Sequence, residues 1–111
     1  MLHDSGMRVA LMVRFPRRYQ HLAPSPPGTV NEELVSFVDF PATVLNLVGL
    51  KKKDYMQGRI FLGQNRDSER DYIYGCRDRV DEVFECARSL RSRKYLYIRN
   101  YHPHLSHNQP S

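Results

Sequence analysis

The chain has 111 residues, 41% hydrophobic and 26% charged, with a formal net charge of +5. That length allows one domain of the usual modal size, and the composition argues against wholesale disorder. The basic balance favours acidic partners without choosing among nucleic acid, an anionic surface and a sulfated or phosphorylated substrate, while no apolar run approaches the ~20 residues of a membrane span.

The opening stretch MLHDSGMRVALMV lacks a basic n-region before its apolar residues and makes a poor signal peptide. Its abrupt start, almost at a strand, is read as loss of a preceding segment. Met7–Phe15 is expected to be the first strand. Met7, Val9, Leu11, Val13 and Phe15 alternate onto one apolar face, and Pro16 closes it. Residues 17–31 follow as a loop, punctuated by Pro24, Pro26, Pro27 and Gly28.

Leu34–Gly49, LVSFVDFPATVLNLVG, reads as a buried strand running into a helix. Asp39 is expected to cap the helix N-terminus, with Pro41 in the first turn and Gly49 as the left-handed residue beyond the end. Phe40, Val44, Leu47 and Val48 recur at helical spacing and predict an apolar packing face. Lys51–Lys53 suit the negative end of the helix dipole. Between Gly58 and Gly63, Arg59-Ile60-Phe61-Leu62 predicts a loop with one apolar anchor.

The last third changes character. Residues 71–76 predict a strand, and 85–92 with 94–101 predict a hairpin around Ser92-Arg93, although the turn lacks Asn-Gly. Tyr95, Tyr97 and Arg99 alternate with Leu96 and Ile98, giving a basic, aromatic face. The tail beyond His104 is polar and expected to fray.

Three segments in order resemble the type I, alkaline-phosphatase-like sulfatase family. Residues 4–16, DSGMRVALMVRFP, resemble its Glu/Asp-x-Gly-x-Arg-Val-Pro segment. Residues 36–45, SFVDFPATVL, resemble its Ser-x-x-Asp-Leu-x-Pro-Thr-Leu-Leu helix start. Residues 75–100 resemble its small C-terminal sheet, with an Arg-Asp-Arg turn and an Arg-x-x-Lys-Tyr-x-Tyr-Ile-Arg-Asn strand. The Arg-Asp-Arg and Arg-Asn-Tyr-His-Pro stretches look most similar to bacterial sulfatases resembling heparan N-sulfatase. Ala10 stands where the family usually has proline, and Pro41 lies one position early. The resemblance implies an α/β fragment: residues 1–65 ending the catalytic domain, 66–104 forming a small antiparallel subdomain, and 105–111 a disordered tail.

The family's nucleophile is a formylglycine made from a Cys/Ser-x-Pro/Ala-Ser-Arg motif. Cys86-Ala87-Arg88-Ser89 departs from it, because Arg88 replaces the proline or alanine and no arginine follows Ser89. Cys76 is no closer, so both thiols read as structural. They are also too few for a disulfide framework and too widely spaced for a Cys-x-x-Cys site. The resemblance implies that calcium and formylglycine occur only in a full-length family member, with no cofactor in this stretch. His3-Asp4 point to opposite faces of an extended chain and make a poor metal pair. His102, His104 and His107 lack nearby cysteines or acids and read as incidental.

The resemblance places the loops of the small sheet beside the family's substrate cleft. Arg77 and Arg79 would then hold a sulfate or carboxylate, with Asp81 and Glu82 accepting from sugar hydroxyls. The competing reading is a surface ion-pair cluster. The implied activity is hydrolysis of sulfate esters or N-sulfates on an anionic glycan, by a chain without its own catalytic residues. The alternative is a small basic nucleic-acid-binding module stacking bases on Tyr95, Tyr97, Arg99 and Tyr101. It is disfavoured by Asp78, Asp81, Glu82 and Glu85, which repel phosphate. A third reading is a non-catalytic partner completing another chain. Full-length family members are usually periplasmic, extracellular or lysosomal; these residues leave the compartment open.

Overall fold

The computed structural model describes residues 2–80 and 83–105. In chain order they form α1 (Asp4–Met7), a 3₁₀ segment (Arg17–Leu22), α2 (Asp39–Leu47), β1 (Ile73–Val80), β2 (Val83–Arg91) and β3 (Leu96–Asn100). Backbone proximity groups Met12–Asp71 into one unit and the described parts of Met1–Leu11 and Tyr72–Ser111 into another.

In the first unit, α2 begins at Asp39 and ends where Gly49 turns left-handed, at φ +80°. The Leu50 N–H reaches back to the Leu45 carbonyl (2.8 Å) and Gly49 N–H to Asn46 (3.1 Å), which satisfies carbonyls of the last turn. Its buried face, however, is not the apolar stripe. Asp39, Ala42 and Thr43 are buried, whereas Val44 and Val48 are exposed. The reason is the segment beside it. Residues 59–62 lie along α2 with no strand partner, so polar helix side chains take its backbone groups. Asp39 accepts from Arg59 N–H (2.7 Å), Thr43 Oγ1 accepts from Phe61 N–H (3.2 Å), and Asn46 Nδ2 donates to the Leu62 carbonyl (2.8 Å). Asp67 closes the other edge, taking Ile60 N–H (2.8 Å) and returning its own N–H to the Ile60 carbonyl (2.9 Å).

Ile60, Phe61 and Leu62 are buried, as the apolar anchor between the two glycines predicts, and Phe61 meets Phe40 edge-on at 5.6 Å. Gly58 is compulsory. A Cβ there would stand 1.9 Å from the Val38 carbonyl oxygen. Lys52 does not simply answer the helix dipole: its ammonium donates to the Gly58 carbonyl (3.1 Å) and pairs with Asp67 (3.3 Å).

Two expected strands are absent. Met7 closes α1, and the residues from Arg8 to Phe15 run without a ladder among the described residues. Val9, Leu11 and Val13 stay substantially exposed. Leu34–Val38 is likewise irregular and turns at Phe37-Val38 into α2. Alternation supplies a face but no partner, and a strand exists only through the ladder it joins. Asp39 does not cap the first turn either. Its carboxylate looks backward to Ser36 N–H (2.9 Å) and outward to Arg59 and Arg70.

In the second unit, β1, β2 and β3 form an antiparallel sheet in that order. Ile73 pairs with Arg91, which pairs with Leu96; Cys76 pairs with Arg88, which pairs with Arg99. One face is covered. Leu2 and Met7 press on Gly75, where a Cβ would lie 2.8 Å from the Met7 methyl, and Ala87 and Ser89 are buried. The β2–β3 turn manages without Asn-Gly because Ser92 Oγ accepts from the Tyr95 N–H (2.9 Å) while Ser92 N–H donates to the Tyr95 carbonyl (2.9 Å). The expected α/β character thus appears as short helices with a small antiparallel sheet.

Candidate functional site

The cations singled out by sequence lie on and around this sheet. Strand alternation sends Arg77 to the covered side with Gly75, where it meets Glu85 at 2.6 Å, both side chains largely buried. This charge pair crosses from β1 to β2 beside a bulge, where Asp78 alone faces the two residues Glu85 and Cys86. Arg77 is therefore engaged within the fold. Arg79 follows on β1 and is exposed. Asp81 and Glu82, the other two residues of the expected quartet, lie outside the described residues.

Other arginines lie on the outer side. Arg88 Nη1 donates to Asp78 at 2.6 Å, and the carboxylate holds the guanidinium above its ordinary pKa. Arg99 stacks over the Tyr101 ring at 4.7 Å. Along β3, Tyr97 and Arg99 face solvent while Leu96 and Ile98 turn inward, as their alternation predicts. On the covered side, Arg91 pairs with Asp4. Sequence reasoning missed these ion pairs, because no spacing rule links Asp4 to a strand so distant in the chain.

Among the described residues, no group of His, Cys, Asp or Glu is arranged to hold a metal ion. Among the described carboxylates on and beside the sheet, Asp4, Asp78 and Glu85 each face an arginine and do not fit calcium. His102 packs tilted against Phe84 (5.2 Å) and meets His104 edge-on (5.8 Å); His107 is outside the described residues. Cys86 sits within β2, not at a helix start. In the other unit, an open depression of about 260 Å³ beside Tyr19, His21 and Asn46 is smaller than the usual ~300 Å³ of a small-molecule pocket.

That unit holds a charge cluster around Asp39 and Asp67. Burial works against ionisation of Asp39, yet hydrogen bonds from Arg70, Arg59 N–H and Ser36 N–H prevail and hold its carboxyl below the usual value. The Ile60 N–H, opposed by burial and helped by Lys52, does the same for Asp67. Every oxygen of Asp39 is occupied by a protein donor, which makes it a fastening and not a reactive group.

Across 110 residues the chain is 38% identical to an ulvan-active sulfatase of Formosa agariphila, a match spanning 99% of this chain and 17% of that protein. A second ulvan-active sulfatase of the same organism is 30% identical over 105 residues, 88% of this chain and 20% of that protein. Along nearly its whole length the chain is thus similar to part of a sulfatase. It spans a fifth or less of the length of these curated relatives. No protein-family model matches the chain, and no solved structure matches it significantly.

Proposed function

We propose that the chain is the C-terminal part of a sulfatase that hydrolyses sulfate esters or N-sulfates on an anionic glycan, and that it does not turn over substrate alone. The observation that carries this reading is the match along 99% of the chain to a sulfatase of which it covers only 17%. In such an enzyme residues 1–65 finish an alkaline-phosphatase-like catalytic domain, and residues 66–104 form the small sheet at the rim of the cleft. The ulvan-active relatives make a sulfated polysaccharide the leading substrate class. Arg79, with Asp81 and Glu82 after it, contacts the glycan beyond the scissile group. Arg77 sets the strand geometry behind them through Glu85. The sequence carries no Cys/Ser-x-Pro/Ala-Ser-Arg motif, so the nucleophile and the calcium belong to the remainder of the enzyme.

Two experiments test this. The purified chain should release no sulfate from an aryl sulfate or from ulvan, with or without calcium. Turnover abolished by Cys86→Ala would overturn the assignment of the cysteines. In the second, this chain replaces the matching 110 residues of the Formosa sulfatase. The chimera should desulfate ulvan, and Arg79→Ala within it should raise KM more than it lowers kcat. A folded chimera without activity refutes the reading.

A further inference from the structure

The function proposed above leaves Cys76 and Cys86 unused, but the strand register brings them together. Cys76 pairs with Arg88, and Cys86 lies two residues before Arg88 on the same strand. Side chains two apart share a face, so both thiols stand on the outer side of the sheet with Arg88. Cys76 is exposed there and Cys86 partly so.

The hydrogen-bond phase sharpens the geometry. Tyr101 N–H donates to the Cys86 carbonyl, which turns the backbone groups of Cys86, and in phase those of Arg88, towards β3. Cys76–Arg88 is therefore a non-hydrogen-bonded pair, the kind whose side chains come closest. A regular diagonal separates α-carbons by ~7–8 Å, whereas a disulfide takes ~4.4–6.8 Å. Here the ladder is irregular. The bulge falls between Arg77 and Arg79, beside Cys86, and a bulge leaves one residue unpaired, bends its strand and increases the local twist, so the regular diagonal spacing does not hold there. Arg88 and Asp78 bridge the same square of residues at 2.6 Å.

We propose that Cys76 and Cys86 form a dithiol–disulfide site that links β1 to β2 when a small-molecule disulfide is supplied. The exposed Cys76 thiolate attacks one sulfur of glutathione disulfide and expels one glutathione thiolate, leaving a mixed disulfide. Cys86, deprotonated, attacks the Cys76 sulfur and expels the second. Two thiol protons and two electrons leave the chain, and the oxidant becomes two molecules of glutathione. Closure staples the bulge, and with it the Arg77–Glu85 and Arg88–Asp78 pairs that organise the sheet's charges.

The test uses the full chain, folded and reduced, incubated with glutathione disulfide, alkylated and digested with trypsin. The expected product is monomeric, carries no glutathione, and yields peptide 71–77 covalently joined to peptide 80–88. Cys86→Ser should instead retain one glutathione on Cys76, because the resolving thiol is gone. Cys76→Ser should react more slowly, at the less exposed thiol. Stable glutathione on the wild-type chain, a disulfide-linked dimer, or two persistent free thiols would each overturn the proposal. So would failure of Cys76 to react in Cys86→Ser.

Discussion

Replacing Asp39 with asparagine strikes the point on which the central unit converges. The carboxylate receives Ser36 N–H at 2.9 Å, Arg59 N–H at 2.7 Å, Arg70 Nε at 3.1 Å and a second Arg70 nitrogen. Asparagine offers one acceptor oxygen, and its amide nitrogen then faces donors. Arg70 also loses its counter-charge while its side chain remains only 18% exposed. Removing one partner of a buried ion pair costs ~3–5 kcal/mol, and the partial exposure of Arg70 places this site at the lower end, ~3 kcal/mol. Against a typical total of ~5–15 kcal/mol the loss is large. Urea titration by far-ultraviolet circular dichroism should show it as a lower midpoint. Hydrogen exchange should show the Arg59 amide losing protection.

The acid limb carries a second signature. The folded carboxyl titrates below its ordinary value of 3.8. Its contribution is therefore complete above that pH and disappears as pH falls through the folded value. Asp39→Asn should flatten that part of the stability profile. A midpoint change worth less than ~1 kcal/mol, or an unaltered acid limb, would refute the role given to this carboxylate.

Gly58→Ala should destabilise by at least the ~1–3 kcal/mol of an overpacked site, since the obstacle is Val38 backbone at 1.9 Å and no side chain can swing aside; an unchanged urea midpoint counts against it. The isolated chain should melt below ~65 °C and scatter light as concentration rises, because Val9, Leu11 and Val13 are left exposed. A sharp, concentration-independent melt above that temperature would show a self-sufficient domain. Binding of a sulfated polysaccharide should be weak and should fade as salt rises, since a net charge of +5 acts over a screening length of ~8–10 Å. Salt-resistant binding of a defined nucleic acid, measured by fluorescence anisotropy, would favour a different function.

Several features were legible in the residues alone. The C-terminal strands followed from period-two alternation, which continues through Leu96–Asn100 with inward Leu96 and Ile98. Gly49 marked the end of α2, because a left-handed residue there is cheap only for glycine. The apolar trio Ile60-Phe61-Leu62 announced its own burial. Such signals are local: they depend on side-chain chemistry within one or two turns or strands. The three family-like segments likewise pointed to the sulfatases through their residues and their order along the chain.

Tertiary contacts decided the rest. The stripe of Phe40, Val44, Leu47 and Val48 promised an apolar interface, yet the face that closes on residues 59–62 carries Asp39, Thr43 and Asn46. Hydrophobic periodicity cannot show this, because an unpaired backbone segment needs donors and acceptors opposite it, and polar side chains supply them. Met7–Phe15 had the alternation of a strand without a ladder to join. Arg77 had the chemistry of an anion ligand, but the strand register turned it inward to Glu85. A residue's own type sets what it can bond. Which group stands within about 3 Å of it depends on segments far away in the chain, and only the folded arrangement determines that.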